Sequence, residues 1–185
     1  MNPRSLTWKL NWYRQSELEG ALLLGKMVRA VDSGRLITLL TRHCADEARH
    51  ACLWADTLLR LELPAIRILR SYQSFYVERG AVPSGIVEVL ALTHVFERRV
   101  WRQFQKEMNE PEGPTPVRDT LGTLLDDERQ HLDWVAEWLR DRPEGAGLIE
   151  RFSRIDDEVY TYLEPFDERL WDVPGLGVEL NERVR

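Results

Sequence analysis

An all-α fold, a bundle of four long helices followed by a shorter fifth, is what this sequence predicts, and three observations predict it. Apolar residues recur at helical spacing over most of the chain, and Val, Ile and Thr never alternate with polar residues long enough for a sheet. Leu, Ala, Glu, Arg and Gln dominate, and helix breakers are confined to a few short clusters. Those clusters divide the chain into two helical hairpins joined by a long connection, one way of building a four-helix bundle.

The elements follow in order. The first helix is expected from about residue 5 to Val31, stopping at "DSG" (32–34), and the second from about Arg35 to Leu61, ending before Pro64. Residues 62–83 connect the hairpins, with room for a short helix. The third helix runs from about Pro83 or Ser84 to Met108, with Ser84 as its cap and the proline tolerated near its start. "NEPEGPTP" (109–116) breaks it, the fourth helix covers about 117–141, and "RPEGAG" (142–147) ends that one. A fifth helix, about 148–163, precedes a tail that reads as irregular. One domain is expected over residues 1–185, with a core at about 5–141 and the C-terminal helix and tail at about 146–185.

Composition bounds the function. The 185 residues, 43% hydrophobic and 30% charged, suit one globular domain. A net charge of -6 argues against a grip on nucleic-acid phosphates. No apolar run approaches the roughly 20 residues that cross a bilayer. The N-terminus, "MNPRSLTWKLNWYRQ", has no continuous apolar stretch of the kind a signal peptide carries, so the cytoplasm is expected. Cys44 and Cys52 fall on one helix, about 12 Å apart along its axis, too far to bridge, and read as small buried hydrophobes.

A repeated motif carries the chemistry. "ADEARHACLW" (45–54) holds Asp46, Glu47 and His50, and "DDERQHLDWV" (126–135) holds Asp127, Glu128 and His131 at the same spacing. Positions i and i+3 share a helix face, so each motif offers a carboxylate and an imidazole together. In an antiparallel hairpin, residues equidistant from the turn stand level. Reflecting Glu128 through its turn gives Glu97, in the middle of an apolar stripe that includes Leu90, Thr93, His94, Val100, Trp101 and Phe104. Reflecting Glu47 through "DSG" gives Glu17 or Glu19. Glu17 is followed at helical spacing by Gly20, Ala21, Leu24 and Val28, whereas Glu19 leads to Lys26, so Glu17 is the inward residue. Four carboxylates and two imidazoles thus converge. Burying so many ionised groups bare costs on the order of several kcal/mol each, so the site holds protons or cations. Two divalent metals match four carboxylates, and the mixed oxygen and nitrogen set suits iron or manganese better than a structural zinc.

With Glu17, "DEARH", Glu97 and "DERQH" in this order, the chain resembles the ferritin-like superfamily of di-iron carboxylate proteins over about residues 10–140. That superfamily includes bacterioferritin, the erythrins and several bacterial oxygenases. The resemblance implies a ferritin-like four-helix bundle of two antiparallel hairpins joined by a long crossover. It implies two iron ions, or a manganese–iron or dimanganese pair. Glu47 and Glu128 would bridge them, Glu17 and Glu97 would be terminal, and His50 and His131 would bind one metal each. It further implies that Asp46 orients His131 and Asp127 orients His50, since a ligating imidazole needs its other N–H pinned. An exposed pairing of these aspartates with neighbouring basic residues is the alternative.

The activity expected from that resemblance is an oxidase or oxygenase using dioxygen or peroxide, an external electron donor and a small organic substrate. Iron oxidation and storage, erythrin-like peroxide reduction, and a metal-dependent structural bundle are the rivals. A rubredoxin domain is missing, and the 30 residues between Glu17 and Glu47 are fewer than in cage-forming ferritins. A modified tRNA base stays open as substrate, against the net charge. His43, four residues before Glu47, and His94, one turn before Glu97, are each an extra ligand or proton donor, or else an outer or core histidine. Trp101 reads as packing, with a substrate pocket or electron path as the second reading. Arg49 and Arg129 are placed to pair across the bundle. The C-terminal helix caps the bundle or packs on a second subunit, a possible homodimer.

Overall fold

Residues 2–111 and 113–180 are described by a computed structural model of the chain. The first hairpin is α1 (Pro3–Val28) and α2 (Gly34–Arg60). The Asn2 side chain caps α1 by accepting from Arg4 N at 2.9 Å, and Pro3 occupies a first-turn position that needs no N–H. Ser33 caps α2 through Leu36 N. The connection holds a three-residue strand, β1 (Ile66–Ile68), and a short helix, α3 (Tyr72–Glu78). The second hairpin is α4 (Ile86–Met108) and α5 (Thr115–Arg140), and α6 (Gly145–Leu163) lies on α4. Two 3-10 turns, Glu164–Phe166 and Leu170–Asp172, lead to β2 (Gly177–Glu179). The protein is all-α with one small two-stranded sheet. No helix among the described residues is long and apolar enough to cross a membrane.

Four expectations need correction. Ser84 does not cap α4. Gly85 takes that position, and Ser84 N and Oγ instead donate to Glu88 Oε2 at 2.7 and 2.8 Å, a first-turn carboxylate reaching back. Over residues 164–180 the tail is not wholly irregular, residues 181–185 lying outside the described residues, and the chain is not free of strands. β1 and β2 pair antiparallel with Ile66 opposite Glu179 and Ile68 opposite Gly177. Three residues per strand, from distant parts of the chain, are too few to leave an alternation pattern. Cys52 is exposed and Cys44 half-buried, because position 52 falls on the outer face of α2 with Arg49 and Asp56.

Each long helix is apolar at both ends of its inner face and polar between. On α2, Leu36 and Leu40 precede Glu47 and His50, and Trp54 and Leu58 follow. On α5 the order inverts, as an adjacent helix running the other way requires: Leu121 and Leu124, then Glu128 and His131, then Val135 and Leu139. The two apolar clusters so formed, one around Leu40, Leu90 and Val135 and one around Trp54, Phe104 and Leu121, stand on either side of a polar layer. Their close packing fixes that layer's height and rotamers.

The N-terminal half of α1 is buried nearly all round, from Ser5 to Trp12, because the connection and the tail wrap it. Its polar residues are therefore all engaged. Lys9 Nζ is 3.0 Å from Asp167 and 3.6 Å from Glu107. Asn11 accepts from Ile66 N and donates to Pro64 O, and Trp8 Nε1 donates to Glu179 at 3.0 Å. Asp156 on α6, also buried, accepts from Tyr72 and Tyr76 hydroxyls at 3.1 and 2.7 Å and from Arg99 Nε at 2.8 Å. These bonds tie α6 and the tail to the bundle.

Candidate metal centre

Helical phase and level bring six residues from four helices into the polar layer: Glu17 on α1, Glu47 and His50 on α2, Glu97 on α4, and Glu128 and His131 on α5. None is more than 4% exposed, an unusual depth for so many ionisable groups. Glu19 lies outside the layer. It is half-buried and accepts from Ser71 Oγ and Gln15 Nε2. Glu17 thus points inward and Glu19 does not, as helical phase dictates.

The ligand-type atoms form two groups of four, each with its atoms within 4.8 Å of one another: Glu17, Glu47, His50 and Glu128 in one, His43, Glu47, Glu97 and His131 in the other. Glu47 belongs to both. His50 Nδ1 stands 3.4 Å from Glu128 Oε1 and 3.8 Å from Glu17 Oε2. His131 Nδ1 stands 3.6 Å from Glu47 Oε1 and 3.9 Å from Glu128 Oε2, so Glu128 also faces both sides. His43 is the addition. Its Nε2 is 2.6 Å from Glu97 Oε1 and 3.2 Å from Glu47 Oε1, and its ring stacks on His131 at 3.7 Å. The sequence signal was its place seven residues before His50 on one face; only the stagger of α4, which sets Glu97 level with it, decides the matter.

Each motif aspartate meets the histidine of the other motif. Asp127 Oδ2 is 3.1 Å from His50 Nε2, and Asp46 Oδ2 is 3.4 Å from His131 Nε2. In the neutral ring, accepting from those Nε2–H groups favours the tautomer whose Nδ1 lone pair faces the cluster. The alternative pairing coexists with this one, since Arg49 Nη2 reaches Asp127 at 2.6 Å and Asp46 at 3.3 Å. Arg129 is exposed on the outer face of α5.

The donor set has room and need for a cation. His50 Nδ1, His131 Nδ1, Glu97 Oε2 and Glu128 Oε2 are buried with no hydrogen-bond partner, although buried polar atoms are nearly always paired. His50 Nδ1 shows why: Glu128 is near, at 3.4 Å, but not in hydrogen-bonding geometry. Gly20 keeps space open, since a Cβ there would lie 2.6 Å from Glu47 Oε2. Burial, with the charges of Glu17, Glu128 and Glu97, holds the Glu47 carboxyl well above its usual range. Burial opposes charge on His50, but the Glu128 and Glu17 carboxylates outweigh it and raise the imidazole to about 11. His131 is raised likewise against burial, chiefly by Glu128. A cluster that draws protons this strongly is one that cations would relieve.

Two further sequence candidates fall elsewhere. His94 is only partly buried and joins neither group, and burial lowers its affinity for a proton. Trp101 does not line the large cavity beside the layer. That cavity, about 360 Å³, lies on the other side of α4, between α1, α4 and the end of α6, and Trp12 is the tryptophan in its wall. Glu17 is the cluster residue that it reaches. Comparison of the chain with protein-family models, curated proteins and solved structures gives no match.

Proposed function

We propose that this chain is a ferritin-like di-metal carboxylate protein, binding two iron ions or a manganese–iron or dimanganese pair, and an oxidoreductase that uses dioxygen or peroxide on a small organic substrate. The observation that carries the reading is the pair of four-residue donor groups sharing Glu47, with the unpartnered Nδ1 atoms of His50 and His131 turned into them. Two hairpins whose second helices, α2 and α5, touch also suit the ferritin-like arrangement. The residues that would hold one ion are Glu17, His50, Glu47 and Glu128; the other would take Glu97, His131, Glu47 and His43, with Glu128 within reach. Iron or manganese, when bound, supplies one-electron redox chemistry toward dioxygen or peroxide. The chain's own part is to hold the donors. Asp127 and Asp46 orient the imidazoles, Gly20 leaves Glu47 its place, and the apolar clusters on either side exclude water. The cavity at Glu17 favours an organic substrate over iron storage, which needs no aromatic chamber.

Metal analysis after anaerobic loading with ferrous or manganous ion tests this. Two ions per chain are expected, with an absorption change on admitting air or peroxide. Glu128→Ala should empty both positions, and Glu19→Ala should leave both filled. Two ions that never change oxidation state would leave only a structural role, and sedimentation as a closed multi-subunit shell would return the reading to storage.

A further inference from the structure

The cavity beside Glu17 has a composition of its own. Six of its wall residues are aromatic: Trp12, Tyr13, Tyr72, Phe96, Phe104 and Tyr160. Several already pack on one another at the tilted or edge-on angles that rings prefer, Trp12 on Tyr72 at 5.8 Å, Tyr13 on Phe104 at 5.4 Å and Tyr72 on Phe96 at 5.8 Å. A flat ring entering this chamber meets ring faces and edges on α1, α3, α4 and α6, and its volume of about 360 Å³ is that of a small-ligand site.

The charges of the wall decide what such a ring can carry. Arg99 lies in the wall, but its guanidinium is committed to Asp156 at 2.6 Å and Asp157 at 2.8 Å and lies over Tyr160 at 4.3 Å. Asp167 is held by Lys9. Glu164 and Glu168 add two carboxylates beyond Glu17, against Lys106 as the exposed cation of the rim. An anionic ligand would therefore enter apolar, acid-lined space with one exposed lysine to meet it.

We infer that this cavity is the substrate chamber of the neighbouring centre and takes a neutral, ring-containing molecule, excluding anions, with the C-terminal segment that closes α6 as its outer wall. The inference rests on reading the cluster as a metal centre, because Glu17 is shared by the two. It assigns the tail a purpose: Leu163, Glu164 and Leu170 shape the chamber, so the residues after the bundle set which molecule reaches Glu17.

Two fluorescent probes with one ring system test it on the full chain: neutral N-phenyl-1-naphthylamine and its anionic counterpart 8-anilino-1-naphthalenesulfonate. The neutral probe should saturate at one site per chain, and the sulfonate should bind at least about tenfold more weakly, the penalty of a charge in apolar surroundings. Val100→Trp, which fills the chamber from α4, should abolish neutral-probe binding while the chain still takes up two metals. Glu164→Lys, on the exposed rim, should tighten the sulfonate and leave the neutral probe unchanged. Equal binding of the two probes, a filled chamber that still binds, a rim change that moves neither, or displacement of the probe by 1-octanol as readily as by naphthalene would each overturn the inference. Probe binding is read without metal and metal uptake without probe. A chain that binds the probe but no metal therefore sinks the metal reading and spares the chamber, and the converse holds.

Discussion

Residues 43–50 of α2 and 124–131 of α5 share the Asp-Glu-x-x-His frame and sit in one layer, yet they treat the position four before the glutamate in opposite ways. In α2 it is His43, hydrogen-bonded to Glu47, 2.6 Å from Glu97 and stacked on His131. In α5 it is Leu124, fully buried in the apolar cluster with Trp54 and Phe104. The duplicated frame gives each half a carboxylate, an imidazole and an aspartate for the opposite imidazole. The unduplicated position then makes the halves unlike: three glutamates and one histidine around His50, two glutamates and two histidines around His131. Only the first half touches the aromatic cavity, through Glu17. A near-symmetric scaffold thus carries one oxygen-rich donor group facing a chamber and one nitrogen-rich group packed against Trp134, 5.7 Å from His43.

Erasing the difference is the most disruptive test of it. His43→Leu makes the α2 position match α5 and removes a nitrogen from the second group alone. Metal titration should show one ion weakened by about 100-fold, the upper end of what loss of a supporting group costs, with the other changed little. Equal weakening of both ions, or of neither, would place His43 outside the donor set. The reverse change, Leu124→His, buries an imidazole where the surroundings are apolar and should cost about 1–3 kcal/mol in chemical denaturation without adding an ion.

A smaller effect, and one that reports on each half separately, comes from the aspartates. Asp127→Asn should weaken the ion at His50, and Asp46→Asn the ion at His131, each by about tenfold, since an amide can present its NH₂ to the ring and favour the wrong tautomer. Calorimetric titration of both variants checks the crossed assignment. If Asp46→Asn instead weakens the ion at His50, the aspartates act within their own motifs and the cross-pairing at 3.1 and 3.4 Å has no bearing on binding.

How much of this the chain declares in advance follows from what each feature depends on. Glu47 with His50 and Glu128 with His131 are legible because three-residue spacing alone places them together. Glu17 and Glu97 need one further step, reflection through a turn, and short turns keep that error to less than one helical turn. His43 has the right face, but its partner lies on α4, and the sequence does not record how far α4 slides along α2. The strand pair is beyond such reasoning, because "IRI" and "GVE" have three residues each and meet only through the tail's path around α1. The cavity is hidden for the same reason. Its inner wall is helical and foreseeable, whereas its outer wall is a pair of 3-10 turns after a helix whose end gives no sign of where the chain goes next.

The least costly difference between the halves is on the surface. Arg49 of α2 reaches both aspartates, at 2.6 and 3.3 Å, while the matching position of α5 is Gln130, which donates to Asp126 O in its own helix. Arg49→Gln makes the two alike there. The arginine side chain is 43% exposed, so the pair is screened, and its loss should cost about 0–1 kcal/mol, less in high salt. Two ions should still bind, because each aspartate keeps its histidine. The pH dependence carries a sign that checks the assignment. Burial alone would raise the Asp127 carboxyl, but Arg49 and His50 outweigh it and hold it below its ordinary value of 3.8. A lowered carboxylate contributes stability that is present above the unfolded value and lost as pH falls through the folded one. The gap between variant and parent in the metal-free chain should therefore be present at neutral pH and close as the pH drops below 3.8. A gap that persists in strong acid would mean that Arg49 acts through its packing on α2, and the surface half of the comparison would then rest on shape instead of charge.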